Sequence, residues 1–305
     1  MDDEQKPLTF AIVGAGAVGL YYGARLVEAG QEVRFLLRSD LEVVKEDGIT
    51  VESVDGDLQL PEVICSDNPE DLGPVDVVMV AWKTTSNHHF EEVISPLRHD
   101  KTVVLTLQNG LGSAERLREL FGKNKVLAAI CFVCLNRIGN GYVRHTAGGM
   151  IALGGPEPWR TRLGDIFERA KFPCTVIDDL PLAQWRKLVW NIPFNGLCIA
   201  EGGITTKELL EKPGGEKHVR ALMSEVIVGA KLLGHEIPET FIDEQIVRTH
   251  GMDHYKPSSL IDYLNDREVE LDSIWGEPLR QIEAVGGNAP VLAELHQKLT
   301  YLTTS

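Results

Sequence analysis

Three groups of residues in this 305-residue chain have types and spacings suited to chemistry. Gly14-Ala15-Gly16-Ala17-Val18-Gly19 follows a short apolar run and opens a helix-compatible stretch. In that setting a G-x-G-x-x-G turn cradles a dinucleotide pyrophosphate: the first glycine permits the turn, the second admits the anion, and the third lets helix and strand pack closely. The anion then rests on free N–H groups at the positive end of the helix dipole. The next apolar run ends Leu36-Leu37-Arg38-Ser39, nineteen residues after Gly19, with Glu32 at its start and Asp40 beyond the arginine. An NAD site offers an acid there to the ribose hydroxyls, whereas an arginine accommodates a 2′-phosphate. Arg38 therefore points to NADP(H); the alternative is a solvated loop charge.

Lys83, in Ala81-Trp82-Lys83-Thr84, and Asn109, in Gln108-Asn109-Gly110-Leu111-Gly112, each follow a strand candidate. Ligands of open parallel sheets bind beyond the carboxyl ends of the strands, which draws both residues towards a nucleotide site. The third group is Lys187, Asn191 and Asn195, spaced i, i+4, i+8 so that they form one stripe along a helix. Its flanks are Leu188, Val189, Trp190, Ile192 and Phe194. An ammonium and two amides on so apolar a helix are costly to bury without polar partners, so the stripe meets a ligand or faces solvent. Pro193 removes a helical hydrogen bond, predicting a kink that re-aims Asn195.

The elements that must carry these groups fall into two textures. Apolar runs at 8–13, 33–37, 75–81 and 102–106, separated by helix-length segments, predict a doubly wound, mostly parallel α/β sheet of the Rossmann type. Residues 126–155 read as hairpins at one edge, with Gly139-Asn140-Gly141 and Gly148-Gly149 as turns. Beyond about residue 180, helical spacing prevails over 181–200, 216–235, 237–250, 258–285 and 289–302, predicting an all-α second domain. The expected division is 1–178 for the NADP-binding domain and 179–305 for the helical substrate domain, each long enough to bury a core.

Composition narrows the function. With 30 basic against 45 acidic side chains the net charge is −15, a surface that repels nucleic acid and anionic lipid. Apolar runs stay short of the roughly 18 residues that span a membrane. The start, Met1 to Pro7, is polar and acidic, unlike a signal peptide. Five scattered cysteines suit a reducing, cytoplasmic compartment. Cys131-x-x-Cys134 lacks a second ligand pair and the neighbouring pair His88-His89 lies in a polar segment and reads as surface, so metal chemistry is not expected.

Taken together, Gly14 to Gly19, Arg38, Lys83, Asn109-Gly110, Trp185-Arg186-Lys187-Leu188 with Asn191 and Asn195, Pro257-Ser258-Ser259 and Glu270-Leu271-Asp272 resemble the ketopantoate reductase (2-dehydropantoate 2-reductase) family over nearly the whole chain. The resemblance implies NADPH-dependent reduction of 2-dehydropantoate to pantoate, towards pantothenate and coenzyme A, by a Rossmann domain followed by a helical one. It implies that Lys187 is the catalytic lysine and that Glu270 binds the substrate hydroxyl. Ser259 and Asn109 match residues associated with the substrate carboxylate and the nicotinamide end of the cofactor, and Asn191 and Asn195 match substrate-binding amides. The stretch from Ser259 to Glu270 is one residue shorter than the usual pattern, and Glu268 stands nearby. On a continuous helix Glu270 returns to within about 20° of Ser259 while Glu268 falls opposite; Ser259-x-x-Asp262 also reads as an N-cap. Related two-domain reductases of another 2-keto or 3-hydroxy acid, and a non-catalytic NADP-binding sensor, are the alternatives. A homodimer is compatible with the helical half.

Overall fold

The computed structural model describes residues 6–304, so Met1 to Gln5 at the polar start lie outside the described residues. The chain forms two compact units: Met1–Gln108 with Ser113–Leu180, and Asn109–Gly112 with Pro181–Ser305. A single cut near residue 178 therefore misses the loop Asn109–Gly112, which is bonded to the helical unit.

The first unit is built on the strands β1 (Thr9–Val13), β2 (Glu32–Leu36), β3 (Ile49–Ser53), β4 (Leu58–Leu60), β5 (Ile64–Ser66), β6 (Val75–Val80), β7 (Arg98–Thr106), β8 (Val126–Gly139), β9 (Tyr142–Gly154) and β10 (Cys174–Val176). They make one sheet in the order β4-β3-β9-β8-β7-β6-β1-β2-β5, with β10 on β9. The helices α1 (Ala17–Glu28), α2 (Leu41–Asp47), α3 (Pro69–Leu72), α4 (Phe90–Ile94), α5 (Ser113–Phe121) and α6 (Trp159–Arg169) complete the unit. Its central strands are buried on both faces, which is why β1 from Phe10 and β6 from Val77 read as apolar runs.

Register decides where the chemistry emerges. Val13 pairs with Leu36 and with Val80, and Val80 pairs with Thr106, so four adjacent parallel strands end in one row. Gly14, Arg38, Lys83 and the segment approaching Asn109 all leave the sheet from that row.

Residues 126–155 form one long hairpin, β8–β9, turning at Asn140-Gly141. Gly148-Gly149 is not a turn but a bulge, where Phe132 pairs with Met150 and Val133 with Gly148. Nor is the hairpin an edge, because β3 pairs in parallel with β9 and β4 lies outside it.

The second unit comprises α7 (Leu180–Ala200), α8 (Thr206–Glu211), α9 (Gly215–Leu232), α10 (Thr240–His250), α11 (Ser258–Leu264), α12 (Glu277–Ala284) and α13 (Pro290–Thr304). α7 continues through Pro193 as one 21-residue helix. From Asn191 to Ile199 it is buried on every side, and that packing holds the turn whose hydrogen bond proline removes. The expected helix over 258–285 is broken: α11 stops at Leu264, Asp266 takes a left-handed φ of 52°, and the N–H of Arg267 turns back to Asp262 O at 2.9 Å. A π turn, Asp272–Gly276, then leads into α12. No described helix is long and apolar enough to cross a membrane.

Candidate active site

In the first unit the three glycines serve different ends. Gly14 has φ +91°, and a Cβ there would lie 2.3 Å from Trp82 N; a Cβ on Gly19 would lie 2.3 Å from Gly14 O. These two are required by packing. A Cβ on Gly16 would meet nothing within 4 Å, so that position keeps a surface open. Ala15, Ala17 and Val18 are half-buried between them. Gly16 is also the N-cap of α1, which has neither a capping side chain nor an acid in its first turn. The helix therefore presents its N–H groups and dipole to an anion, as a pyrophosphate site requires.

Trp82, against which Gly14 packs, is fixed in turn. Gln108 Nε2 donates to Trp82 O at 3.1 Å and to Asn87 Oδ1 at 2.7 Å, Asn87 Nδ2 donates to Ser113 Oγ at 3.0 Å, and the indole stacks on Phe90. Lys83 follows as the N-cap of a short 3-10 turn, Thr84–His89, with a buried Nζ. Arg38 is exposed, and its side chain makes no hydrogen bond or ion pair among the described residues. Asp40, two residues on, is 3% exposed and turned inward.

In the second unit Lys187 is half-buried and its Nζ donates to Asn109 Oδ1 at 2.6 Å. The structure thus joins two residues that lie 78 positions apart. The loop bearing Asn109 is anchored by the N–H of Leu111, which donates to Ser273 O at 2.9 Å, and by Leu111 itself in the apolar core. Gly110, with φ +81°, lets this happen: a Cβ there would be 2.2 Å from Ser273 O. Ser273 sits in the π turn, and Trp275 of the same turn donates from Nε1 to Ile192 O on α7 at 3.0 Å. Asp272 opens that turn; the Arg280 guanidinium beside it holds its carboxyl below the usual range. Burial lowers the neighbouring His296 and pushes the Cys198 thiol of α7 up to about 12.

The remaining stripe residues diverge. Asn191 is 7% exposed, and no described side chain or backbone group takes its amide in a hydrogen bond. Asn195 Oδ1 instead accepts the backbone N–H of Ser259 at 2.9 Å and the hydroxyl of Ser258 at 3.5 Å. It caps α11 from outside, where the N-cap Pro257 offers no side-chain acceptor. Ser259 is consequently the second residue of α11 and not its N-cap. Because α11 ends at Leu264, no helix links Ser259 to Glu270, and the two share no helical face. Burial separates the two acids instead: Glu270 is half-buried at the entrance to the π turn, whereas Glu268 is exposed. Sequence reasoning missed the π turn, and it read Trp190 only as an apolar flank; its Nε1 donates to Thr249 Oγ1 at 2.9 Å while its ring packs on Phe194.

A glycine cradle on a parallel sheet in one unit, and in the second a helix lysine bonded to a loop amide, are the marks of a dinucleotide-dependent oxidoreductase. Residues 10–158 match the family described as ketopantoate reductase PanE/ApbA, and residues 179–302 match the C-terminal domain of that family. The chain belongs to the ketopantoate reductase family. It is 39% identical over 302 residues to a 2-dehydropantoate 2-reductase of Nostoc sp. strain PCC 7120, covering 96% of this chain and 94% of that one. A crystal structure of 2-dehydropantoate 2-reductase from Geobacter metallireducens GS-15 superposes with a TM-score of 0.94 at 41% identity, covering 96% and 99% of the two chains. D-mandelate dehydrogenase, solved with NADH and anilino(oxo)acetate, shares the fold at TM-score 0.88 and 21% identity, over 97% and 98% of the chains.

Proposed function

We propose that this protein catalyses the NADPH-dependent reduction of 2-dehydropantoate to pantoate, a step towards pantothenate and coenzyme A. The observation that carries this reading is the 2.6 Å bond from Lys187 Nζ to Asn109 Oδ1. The residues present suit the cofactor: the open Cα of Gly16 and the uncapped start of α1 suit a pyrophosphate, and the exposed, unpartnered Arg38 suits a 2′-phosphate. Gly14 to Gly19, Arg38, Lys83 and Asn109 would hold it, and its nicotinamide, when bound, supplies the hydride.

Lys187 then acts on the ketone. Its ammonium polarises the carbonyl, stabilises the negative charge that develops on oxygen and delivers the proton that completes the alcohol. Asn109 accepts one of the three N–H bonds and so fixes the direction of the others. Asn191, whose amide no described residue takes in a hydrogen bond, is suited to the substrate, with Ser259 and Glu270 as further polar contacts. Asn195 contributes by holding α11, and with it Ser259, in place. The absence of a disulfide among the five cysteines, all of them described residues, suits a cytoplasmic setting. A homodimer formed through the helical unit completes the reading, since Val228 and Leu232, one turn apart on α9, are 53% and 52% exposed.

The test follows NADPH absorbance with 2-dehydropantoate and a panel of other 2-keto acids. Lys187→Ala should lower kcat/KM by about 10²–10⁴-fold, the range of a lost general acid. Unchanged turnover in the variant would remove Lys187 from the chemistry. A wild-type protein that binds NADPH but turns over no 2-keto acid would be a sensor and not a reductase.

A further inference from the structure

The loop leaving β2 carries opposite charges two residues apart: Arg38, exposed and with no side-chain partner among the described residues, and Asp40, 3% exposed. An acid at this end of the second strand is what an NAD-type site uses to take the ribose hydroxyls. Here the carboxylate is engaged elsewhere. Its Oδ2 accepts the N–H of Gly141 at 3.1 Å, and its Oδ1 accepts Ser39 Oγ at 2.9 Å and Arg137 Nη2. Arg137 arrives from the far end of β8, 97 residues along the chain. Its Nη2 also donates to Asn140 Oδ1 at 2.8 Å and lies 3.5 Å from Ser39 Oγ. Asn140 Nδ2 in turn donates to Ser39 O at 3.1 Å. The turn of the β8–β9 hairpin therefore clasps residues 39 and 40, while the Arg137 side chain stays 30% exposed.

We propose that Arg137 is a positioning residue for cofactor selection, acting through Asp40; this rests on the NADP(H) reading above. Arg137 cancels the charge of Asp40 and draws its carboxylate inward, so the loop meets a 2′-phosphate with Arg38 as its uncompensated charge. Without that guanidinium, Asp40 becomes an anion beside the phosphate and an acceptor free to take ribose hydroxyls. A clasp that merely stiffened the turn would affect every adenine nucleotide alike.

The experiment titrates 2′,5′-ADP and 5′-AMP, which differ only in the 2′-phosphate, into the full-length protein by calorimetry. Wild type should prefer 2′,5′-ADP. Arg137→Met should weaken 2′,5′-ADP by about tenfold or more, the scale of a charge-assisted contact, and leave 5′-AMP within about twofold. Adding Asp40→Asn to that variant should restore most of the preference, because the amide keeps the shape and loses the charge. Equal weakening of both ligands, or an unchanged ratio, would overturn the proposal. If Arg137→Met does not fold, Asp40→Asn alone decides: the preference for 2′,5′-ADP should hold or rise, and a fall refutes the role. A wild type that binds both ligands equally would instead defeat the NADP(H) reading itself.

Discussion

At the residue scale the glycine turn separates two demands that look identical in the sequence. Gly14 and Gly19 lack side chains because backbone occupies the space, and Gly16 lacks one with nothing nearby. Gly16 has φ −75° and ψ −163°, a conformation any residue adopts. Gly16→Ala should therefore melt at the wild-type temperature yet bind NADPH about tenfold or more weakly, since its methyl would project into the cradle. Gly14→Ala should instead destabilise the fold by about 1–3 kcal/mol, from a left-handed φ and a collision with Trp82. Parallel denaturation and fluorescence titrations of the two variants check both outcomes. Identical losses of stability would refute the distinction. The motif and the role of each glycine were legible because glycine spacing is local; that Trp82, far along the chain, fills the space over Gly14 was not.

At the element scale, α7 is held by what crosses it. Gly196 leaves the gap through which Trp275 reaches Ile192 O: a Cβ at 196 would lie 2.9 Å from Trp275 Nε1 and 2.7 Å from Leu295 Cδ2. Gly196→Ala should cost about 1–3 kcal/mol by overpacking. Trp275→Phe, which keeps most of the packing and loses the hydrogen bond, should cost about 0.5–1.5 kcal/mol. Urea unfolding measures both, and a stabilised Gly196→Ala would show that the gap is not needed. Helical spacing revealed α7 and the stripe upon it, since apolar periodicity is a property of consecutive residues. The same spacing hid the break at residues 265–270, because the left-handed turn at Asp266 carries neither glycine nor proline to announce it.

At the scale of the whole molecule, each unit buries its own apolar clusters: strands β1, β6 and β7 contribute to the first, and Leu111, Trp185 and Trp275 belong to the second. A fragment of residues 1–180 contains the glycine turn, Arg38, Asp40 and Arg137. It should fold and bind 2′,5′-ADP within about tenfold of the full chain, and show no turnover. Calorimetry and circular dichroism on the fragment test this, and an unfolded fragment would show that the units are not independent. Fold class, the dinucleotide cradle and the helix bearing Lys187 could be read from the chain itself, because each is written in neighbouring residues as periodicity or a short motif. Only tertiary structure decided that Asn109 leaves its own sheet to meet Lys187, that Asn195 caps α11, and that Arg137 neutralises Asp40. Those pairings join residues 64 to 97 positions apart; a hydrogen bond of about 3 Å between remote residues leaves no periodic trace in a sequence.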